Sequence, residues 1–174
     1  MIKICISGFT SSGKTTVAEL VSEKLGIAHI HKSYKEYVKS EMDVAKFTEN
    51  ASDEFVKSFD EEIKKQAAYA GSCVLSTWLA PWFIKDATLR IWLDADIGTR
   101  AARWAKVYKV GISDAEKLVS EKDQSEIRSI KRIYGIDLND RSIFDIIINT
   151  GKIAPNETAE MICIAAKASE KQMH

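Results

Sequence analysis

The stretch that decides the fold is Gly8-Phe9-Thr10-Ser11-Ser12-Gly13-Lys14-Thr15, which matches the pattern G-x-x-x-x-G-K-[ST]. A short apolar run at 2–6 precedes it and is typical of a buried parallel strand. Apolar residues after it repeat at the spacing of one helix face: Val17, Leu20, Val21 and Leu25. Gly26 is suited to end that helix. A strand, a glycine-containing turn and a helix in this order predict a phosphate-binding loop.

The residue types in this loop fit the chemistry of a nucleoside triphosphate. Glycines allow a tight turn in which backbone N–H groups face the phosphates, and the helix N-terminus adds positive potential. We expect Lys14 to reach the β- and γ-phosphates and the Thr15 hydroxyl to bind Mg²⁺. The predicted cofactors are therefore ATP and Mg²⁺. The predicted binding residues are Gly8, Phe9, Thr10, Ser11, Ser12, Gly13, Lys14, Thr15 and Thr16.

Beyond the loop, strand and helix patterns alternate along the chain. Apolar, β-branched strand candidates lie at 2–6, 28–31, 73–76, 89–93 and 143–149. The segment 33–70 has a helical pattern, with one apolar stripe formed by Phe55, Phe59, Ile63 and Ala67. This order predicts an α/β fold, with a five-stranded parallel sheet covered by helices on both faces.

Three local signals mark boundaries between these elements. Pro81 marks a turn region between the third and fourth strands. Residues 113–116 fit a capping box at the start of a helix that continues toward Tyr134. Pro155 fits the first turn of a final helix.

Length and composition limit the function classes. The 174 residues fit a single domain over 1–174, and 25 basic residues balance 25 acidic ones. Without a net charge, no overall field favours nucleic acid or an anionic membrane. The three cysteines have no ligand spacing and are predicted to be buried thiols, and no apolar run approaches the roughly 20 residues of a spanning helix. We expect a cytoplasmic enzyme that is a monomer or a weak dimer.

The distribution of arginine favours a kinase over a switch GTPase. The GTPase strings N-K-x-D and D-x-x-G do not occur, and all six arginines lie at or after Arg90. Arg100 and Arg103 share one helix face, and Arg128 and Arg132 share another. These four are the candidate catalytic arginines, together with Lys14. They predict a closing lid at about 104–132 that covers the ATP phosphates.

A family resemblance agrees with this interpretation. The stretches that carry it are Gly8 to Thr15, Lys24-Leu25-Gly26, Leu79-Ala80-Pro81-Trp82, Ile91-Trp92-Leu93, Arg100-Ala101-Ala102-Arg103, Gly111-Ile112-Ser113, Ser125-Glu126, Ile133-Tyr134-Gly135-Ile136-Asp137 and Ile148-Asn149-Thr150. In these the sequence resembles the archaeal-type cytidylate kinases, within the nucleoside monophosphate kinase superfamily. The resemblance implies a P-loop kinase fold with a helical acceptor-binding insertion at about 32–70 and a lid after the fourth strand. It also implies ATP-dependent phosphorylation of CMP or dCMP.

The chain departs from that family where the acceptor phosphate is bound. The family usually grips this phosphate with arginines, yet Tyr37 and Trp78 stand at the matching positions. Lysines such as Lys32 could substitute as point charges, and the aromatic rings could stack on a base. The acceptor could instead be a hydroxyl compound, for which Asp60 is the candidate base. The predicted acceptor-binding residues are Lys32, Tyr37, Asp60 and Trp78.

Three functional hypotheses therefore stay open. The first is a nucleoside monophosphate kinase that uses Mg-ATP and acts on CMP or dCMP. The second is a kinase for a non-nucleotide small metabolite on the same fold, which the absence of arginine before Arg90 favours. The third is a nucleotide-binding regulator without robust turnover.

Overall fold

A single parallel sheet forms the centre of the protein. The computed structural model describes residues 1–40 and 43–172. Its strands are β1 (Lys3–Ser7), β2 (Ala28–Ile30), β3 (Cys73–Leu75), β4 (Leu89–Asp94) and β5 (Ile146–Asn149). They form a five-stranded sheet in the order β2-β3-β1-β4-β5, and every pairing is parallel. The predicted α/β fold with a five-stranded parallel sheet is confirmed.

Helices connect the strands. Within the described residues they are α1 (Lys14–Leu25), α2 (Val44–Asn50), α3 (Asp53–Ala70), α4 (Ala80–Phe83), α5 (Ile97–Tyr108), α6 (Ile112–Tyr134) and α7 (Pro155–Gln172). Gly26 ends α1 in the left-handed conformation, with φ 64°, and its N–H bonds back to the last turn. None of the helices in the described part of the chain is both long and apolar enough to cross a bilayer.

Helices cover both faces of the sheet, as β1 illustrates. Ile4 and Ile6 point to one face and pack in a cluster with α1 and with Ile162 of α7. Cys5 points to the other face and packs in a cluster with Ile63 of α3. Because successive side chains of a strand alternate between faces, a strand such as β1, in which every residue is buried, has to be covered on both sides.

The segment 33–70 is helical, but it is broken. It contains a one-turn 3₁₀ helix (Tyr34–Tyr37), α2 and α3. Ser33 and Ser52 explain two of the boundaries, because each has an extended backbone and its side chain accepts a hydrogen bond from an N–H of the following turn. Residues 41 and 42, which fall within the predicted helical pattern, lie outside the described residues.

Three predicted boundaries differ from the structure. Pro81 lies in the first turn of the short helix α4 and not in a turn, which suits its fixed φ. The capping box at 113–116 is wrong, because α6 begins at Ile112 with Gly111 as its N-cap, so Ser113 is already inside the helix. The strand predicted from Ile143 begins only at Ile146.

The three cysteines are reduced and buried, as predicted. Cys5, Cys73 and Cys163 are all free. Burial raises the pKa of each thiol, most strongly that of Cys5. These side chains therefore behave as small apolar residues of the core.

Candidate active site

The loop between β1 and α1 has the shape that its glycines predict. Gly8 has a φ of 154°, and a Cβ placed there would lie 2.4 Å from the Leu93 carbonyl oxygen. Gly13 has a φ of 96° and precedes α1 without a side-chain cap. Only glycine fits at position 8 without a clash. Because no side chain caps α1 at Gly13, the first N–H groups of this helix stay available to a ligand. This is an anion-binding arrangement.

Lys14 lies over the loop that precedes it. Its Nζ donates hydrogen bonds to the carbonyl oxygens of Gly8 (2.5 Å) and Phe9 (2.9 Å). The same atom lies 4.8 Å from the centre of the Trp78 ring. Desolvation lowers the pKa of Lys14 to about 7. An anionic ligand close to Nζ would restore the charged form, so the site favours a phosphate group.

Two buried hydroxyls suggest a further polar partner for the loop. Among the described residues, neither Thr10 Oγ1 nor Ser12 Oγ has a hydrogen-bond partner, although both atoms are buried. Buried polar atoms are normally satisfied, so the orphan hydroxyl of Thr10, a residue that lines the cavity beside the loop, fits a polar ligand. Thr15 lines the adjacent cavity and would offer its hydroxyl to Mg²⁺. No group of three or more His, Cys, Asp or Glu residues in the described part of the chain could hold a metal.

A cavity of about 590 Å³ extends from this loop to the acceptor-side helices. It lies at the carboxyl edge of the sheet, between α3, α5 and α6. It brings together the following predicted site residues: Thr10, Ser11, Gly13, Lys14, Thr15, Thr16, Lys32, Asp60, Trp78 and Arg103. Gly8, Phe9, Ser12, Tyr37, Arg100, Arg128 and Arg132 do not line it.

Two buried carboxylates lie at the acceptor end of the cavity. Asp60 is 8% exposed, and its carboxylate accepts a 2.6 Å hydrogen bond from the Tyr134 hydroxyl. Burial raises the pKa of Asp60 to about 6. Glu126 is 5% exposed, lies 3.4 Å from Thr48 Oγ1, and has a pKa raised by burial to about 7. Carboxylic acids with such pKa values exchange protons near neutral pH and are suited to acceptor binding or proton transfer.

The other predicted acceptor residues have mixed positions. Lys32 lines the cavity, forms an ion pair with Glu62 and has its Nζ 4.8 Å from the Phe59 ring. Tyr37 is 45% exposed and stacks on Phe47 outside the cavity lining. The structure therefore places Lys32 inside the predicted site and Tyr37 beside it.

The four candidate catalytic arginines divide into two pairs. Arg103 lines the cavity and donates hydrogen bonds to the Ser11 carbonyl (3.1 Å) and the Thr150 carbonyl (2.6 Å). Arg100 is buried behind the loop. The exposed guanidinium groups of Arg128 and Arg132 form ion pairs with Glu49 of α2 and Asp53 of α3. Roles in phosphoryl transfer for Arg128 and Arg132 stay predictions.

Sequence reasoning missed several residues of this site. Glu126 and Asp123 stand three positions apart on one face of α6 and are both buried, and Thr150 holds Arg103. The spacing of the two acidic residues was available in the sequence.

Comparisons with known proteins agree with this geometry. The profile of the cytidylate kinase-like family matches residues 28–152. A cytidylate kinase from Pyrococcus horikoshii is 35% identical over 158 residues, which cover 87% of this chain and 81% of the relative. One from Archaeoglobus fulgidus is 31% identical and covers 97% of both chains.

Solved structures with low sequence identity share the fold. An uncharacterized protein from Eubacterium ventriosum has a TM-score of 0.73 at 20% identity, covering 97% of this chain and 99% of that one. A shikimate kinase from Acinetobacter baumannii has a TM-score of 0.62 at 14% identity, covering 98% and 95%. These likenesses concern the arrangement of strands and helices.

Proposed function

Because the chain belongs to the cytidylate kinase-like family, we propose that it transfers the γ-phosphoryl group of Mg-ATP to CMP or dCMP. It is a nucleoside monophosphate kinase-like enzyme. The observation that carries the choice of reaction is that one continuous cavity is lined both by the phosphate loop and by the buried carboxylates of Asp60 and Glu126. Donor and acceptor held in one cavity can meet without a diffusing intermediate.

At the donor end, the residues of the loop provide positive potential and hydrogen-bond donors. Lys14 would bind the β- and γ-phosphates with its ammonium group, and Thr15 would hold the metal. Arg103 lies at the rim of the loop, fixed by Ser11 and Thr150, where a guanidinium favours a phosphate group. Mg²⁺, when bound, neutralises charge on the phosphate oxygens.

At the acceptor end, the charge pattern favours a base with an amino group. Carboxylate oxygens of Asp60 and Glu126 accept hydrogen bonds, and cytosine carries an exocyclic amine where uracil carries a carbonyl. Trp78 offers a ring face for stacking. Arg103 is the one arginine among the described residues that line the cavity, so the acceptor phosphate would be bound by lysines such as Lys32.

The division of the chain into working parts is a proposal as well. Residues 32–70 would form the acceptor-binding insertion, and 104–132 would form the lid. Ser125 of α6 donates a 2.8 Å hydrogen bond to the Ala45 carbonyl of α2. Two further residues of α6, Arg128 and Arg132, form ion pairs with α2 and α3. Movement of α6 would therefore be coupled to α2 and α3.

A non-nucleotide acceptor is the second candidate function, and the raised pKa values favour it. Asp60 and Glu126, with pKa values of about 6 and about 7, are suited to take a proton from an attacking hydroxyl. A phosphate acceptor is already ionised and needs no such base.

A coupled assay of ADP release over an acceptor panel tests the proposal. The panel contains CMP, dCMP, UMP, AMP and small polyhydroxy acids, each with Mg-ATP. Turnover that depends on CMP or dCMP is the expected result. Turnover only with a hydroxyl compound would assign the second function, and ATP binding without acceptor-dependent turnover would indicate a regulator.

A further inference from the structure

The carboxylate of Asp123 connects α6 to the phosphate loop. Asp123 is 5% exposed, and its Oδ1 accepts a hydrogen bond from the Thr10 N–H at 2.9 Å. Its Oδ2 forms a 2.5 Å ion pair with Nη1 of Arg100, which is 8% exposed. Both charges are buried, and each satisfies the other.

The Arg100 guanidinium holds the same part of the loop. Nη1 also donates to the Thr10 carbonyl at 3.1 Å, and Nε donates to the Ala95 carbonyl at 3.1 Å, just after β4. Its Cζ lies 5.4 Å from the centre of the Phe9 ring. Asp123 and Arg100 therefore bind both the N–H and the carbonyl of Thr10.

These contacts determine how two peptide groups of the loop are oriented. In a trans peptide the C=O and the N–H point in opposite directions. The Asp123 carboxylate accepts a hydrogen bond from the N–H of the Phe9–Thr10 peptide. The carbonyl of the same peptide points the other way and accepts a 2.9 Å hydrogen bond from the Lys14 ammonium group. Arg100 binds the carbonyl of the Thr10–Ser11 peptide, which turns the Ser11 N–H to the opposite side of the loop.

We propose that Asp123 is a positioning residue of the donor site, which orients the phosphate loop through the Thr10 N–H and through Arg100 and so sets the position of Lys14. The proposal rests on the proposed use of ATP. It assigns Arg100 to the support of the loop and leaves Arg103 as the arginine that faces the cavity. The hydrogen bonds of Asp123 go to Thr10 and Arg100, so its substitution should affect ATP binding more than acceptor binding.

The test compares Asp123→Ala with Asp123→Asn. The alanine variant leaves Arg100 buried without its counter-charge and the Thr10 N–H without an acceptor, whereas the asparagine oxygen still accepts that N–H. We expect Asp123→Ala to raise the KM for ATP and the Kd for a fluorescent ATP analogue by about tenfold or more. The KM for CMP should change less than about threefold, and Asp123→Asn should recover part of the loss.

A stability control separates positioning from general destabilisation. Ile162→Ala removes a fully buried side chain of α7 that packs in the core cluster with Ile4 and Ile6 and takes no part in the hydrogen bonds of the loop. It should lower the melting temperature and change the KM for ATP and the KM for CMP to the same extent. If Asp123→Ala does not fold, Asp123→Asn and Arg100→Lys are measured against the same control. Equal changes in both KM values, or no change in the Kd for ATP beyond the control, would overturn the proposal.

Binding and turnover distinguish the two proposals. If the wild-type protein binds the ATP analogue but transfers no phosphoryl group to CMP or dCMP, the proposed function fails, and the effect of Asp123→Ala on the Kd still decides the role of Asp123. If the wild-type protein binds no triphosphate, the role of Asp123 is overturned as well.

Discussion

The Tyr134 hydroxyl donates a 2.6 Å hydrogen bond to the Asp60 carboxylate and joins the end of α6 to the middle of α3. Burial raises the pKa of Asp60 to about 6 from an ordinary value of 3.8, although the hydrogen bond from Tyr134 acts in the opposite direction. A buried carboxylate of this kind reduces stability at neutral pH, because the ionised form is poorly solvated. Its retention in the cavity wall fits a functional role.

Asp60→Asn is predicted to stabilise the protein at neutral pH. With its pKa raised in the folded state, Asp60 binds its proton more tightly there than in the unfolded chain, so its contribution to stability falls as pH rises from about 4 to 6. The amide still accepts the Tyr134 hydrogen bond and has no charge to bury. We expect a gain of about 1–3 kcal/mol in the free energy of unfolding at pH 7, which disappears below pH 4.

Urea unfolding of the wild-type protein and of Asp60→Asn at pH 7 and pH 3.5 measures this gain in stability, and Asp86→Asn is the matched control. Asp86 is exposed and its pKa is lowered by the hydrogen bond from Lys3, so its replacement should change stability in the opposite direction, by less than about 1 kcal/mol. A destabilised Asp60→Asn protein at pH 7 would contradict the prediction.

Trp78 is predicted to support Lys14 through the face of its ring. Trp78→Leu removes the contact between the ring and the ammonium, and Trp78→Phe retains a smaller one. A contact between a cation and an aromatic ring contributes about 0.5–2 kcal/mol. We therefore expect kcat/KM for ATP to fall about 3- to 30-fold in Trp78→Leu, and to fall less in Trp78→Phe. Steady-state kinetics at saturating acceptor measures this. Equal losses in both variants would contradict the prediction, because an aromatic ring at position 78 would then not be what supports the Lys14 ammonium.

The two arginine pairs are predicted to differ in their effect on catalysis. Arg103→Ala removes a guanidinium that lies in the cavity and holds Ser11 and Thr150, and should lower kcat/KM for ATP by about 10²-fold. Arg128→Ala breaks an exposed ion pair with Glu49 and should have a smaller effect, within about threefold. The same steady-state assay compares the two variants. A larger loss in Arg128→Ala would indicate that α6 moves and brings this residue to the phosphates.

Local sequence signals predicted the central parts of the fold well. The phosphate loop and its flanking elements follow from the glycine positions and from apolar periodicity, and Gly26 ends α1 as its left-handed conformation requires. The capping box at 113–116 was wrong because two competing starts lie close together. Gly111 adopts the extended backbone of an N-cap, and Asp114 then stands in the favourable first turn of α6.

The candidate site was only partly predictable, because its long-range pairs leave no local trace. Arg100 and Arg103 look equivalent on one helix face, yet Asp123 binds the first and Thr150 the second. Which arginine reaches the cavity depends on these partners, which belong to separate elements of the fold. Burial, and not residue type, also distinguishes Glu126 and Asp60 from the exposed acidic residues around them.

The most direct test of the account is the transfer of label from γ-³²P-ATP to CMP, with CDP identified by chromatography, in the wild-type protein and in Lys14→Ala. We expect labelled CDP from the wild-type enzyme and a loss of at least about 10²-fold in a folded Lys14→Ala protein. Labelled CDP formed equally well without the Lys14 ammonium, or no labelled nucleotide from the wild-type protein with CMP or dCMP, would contradict it.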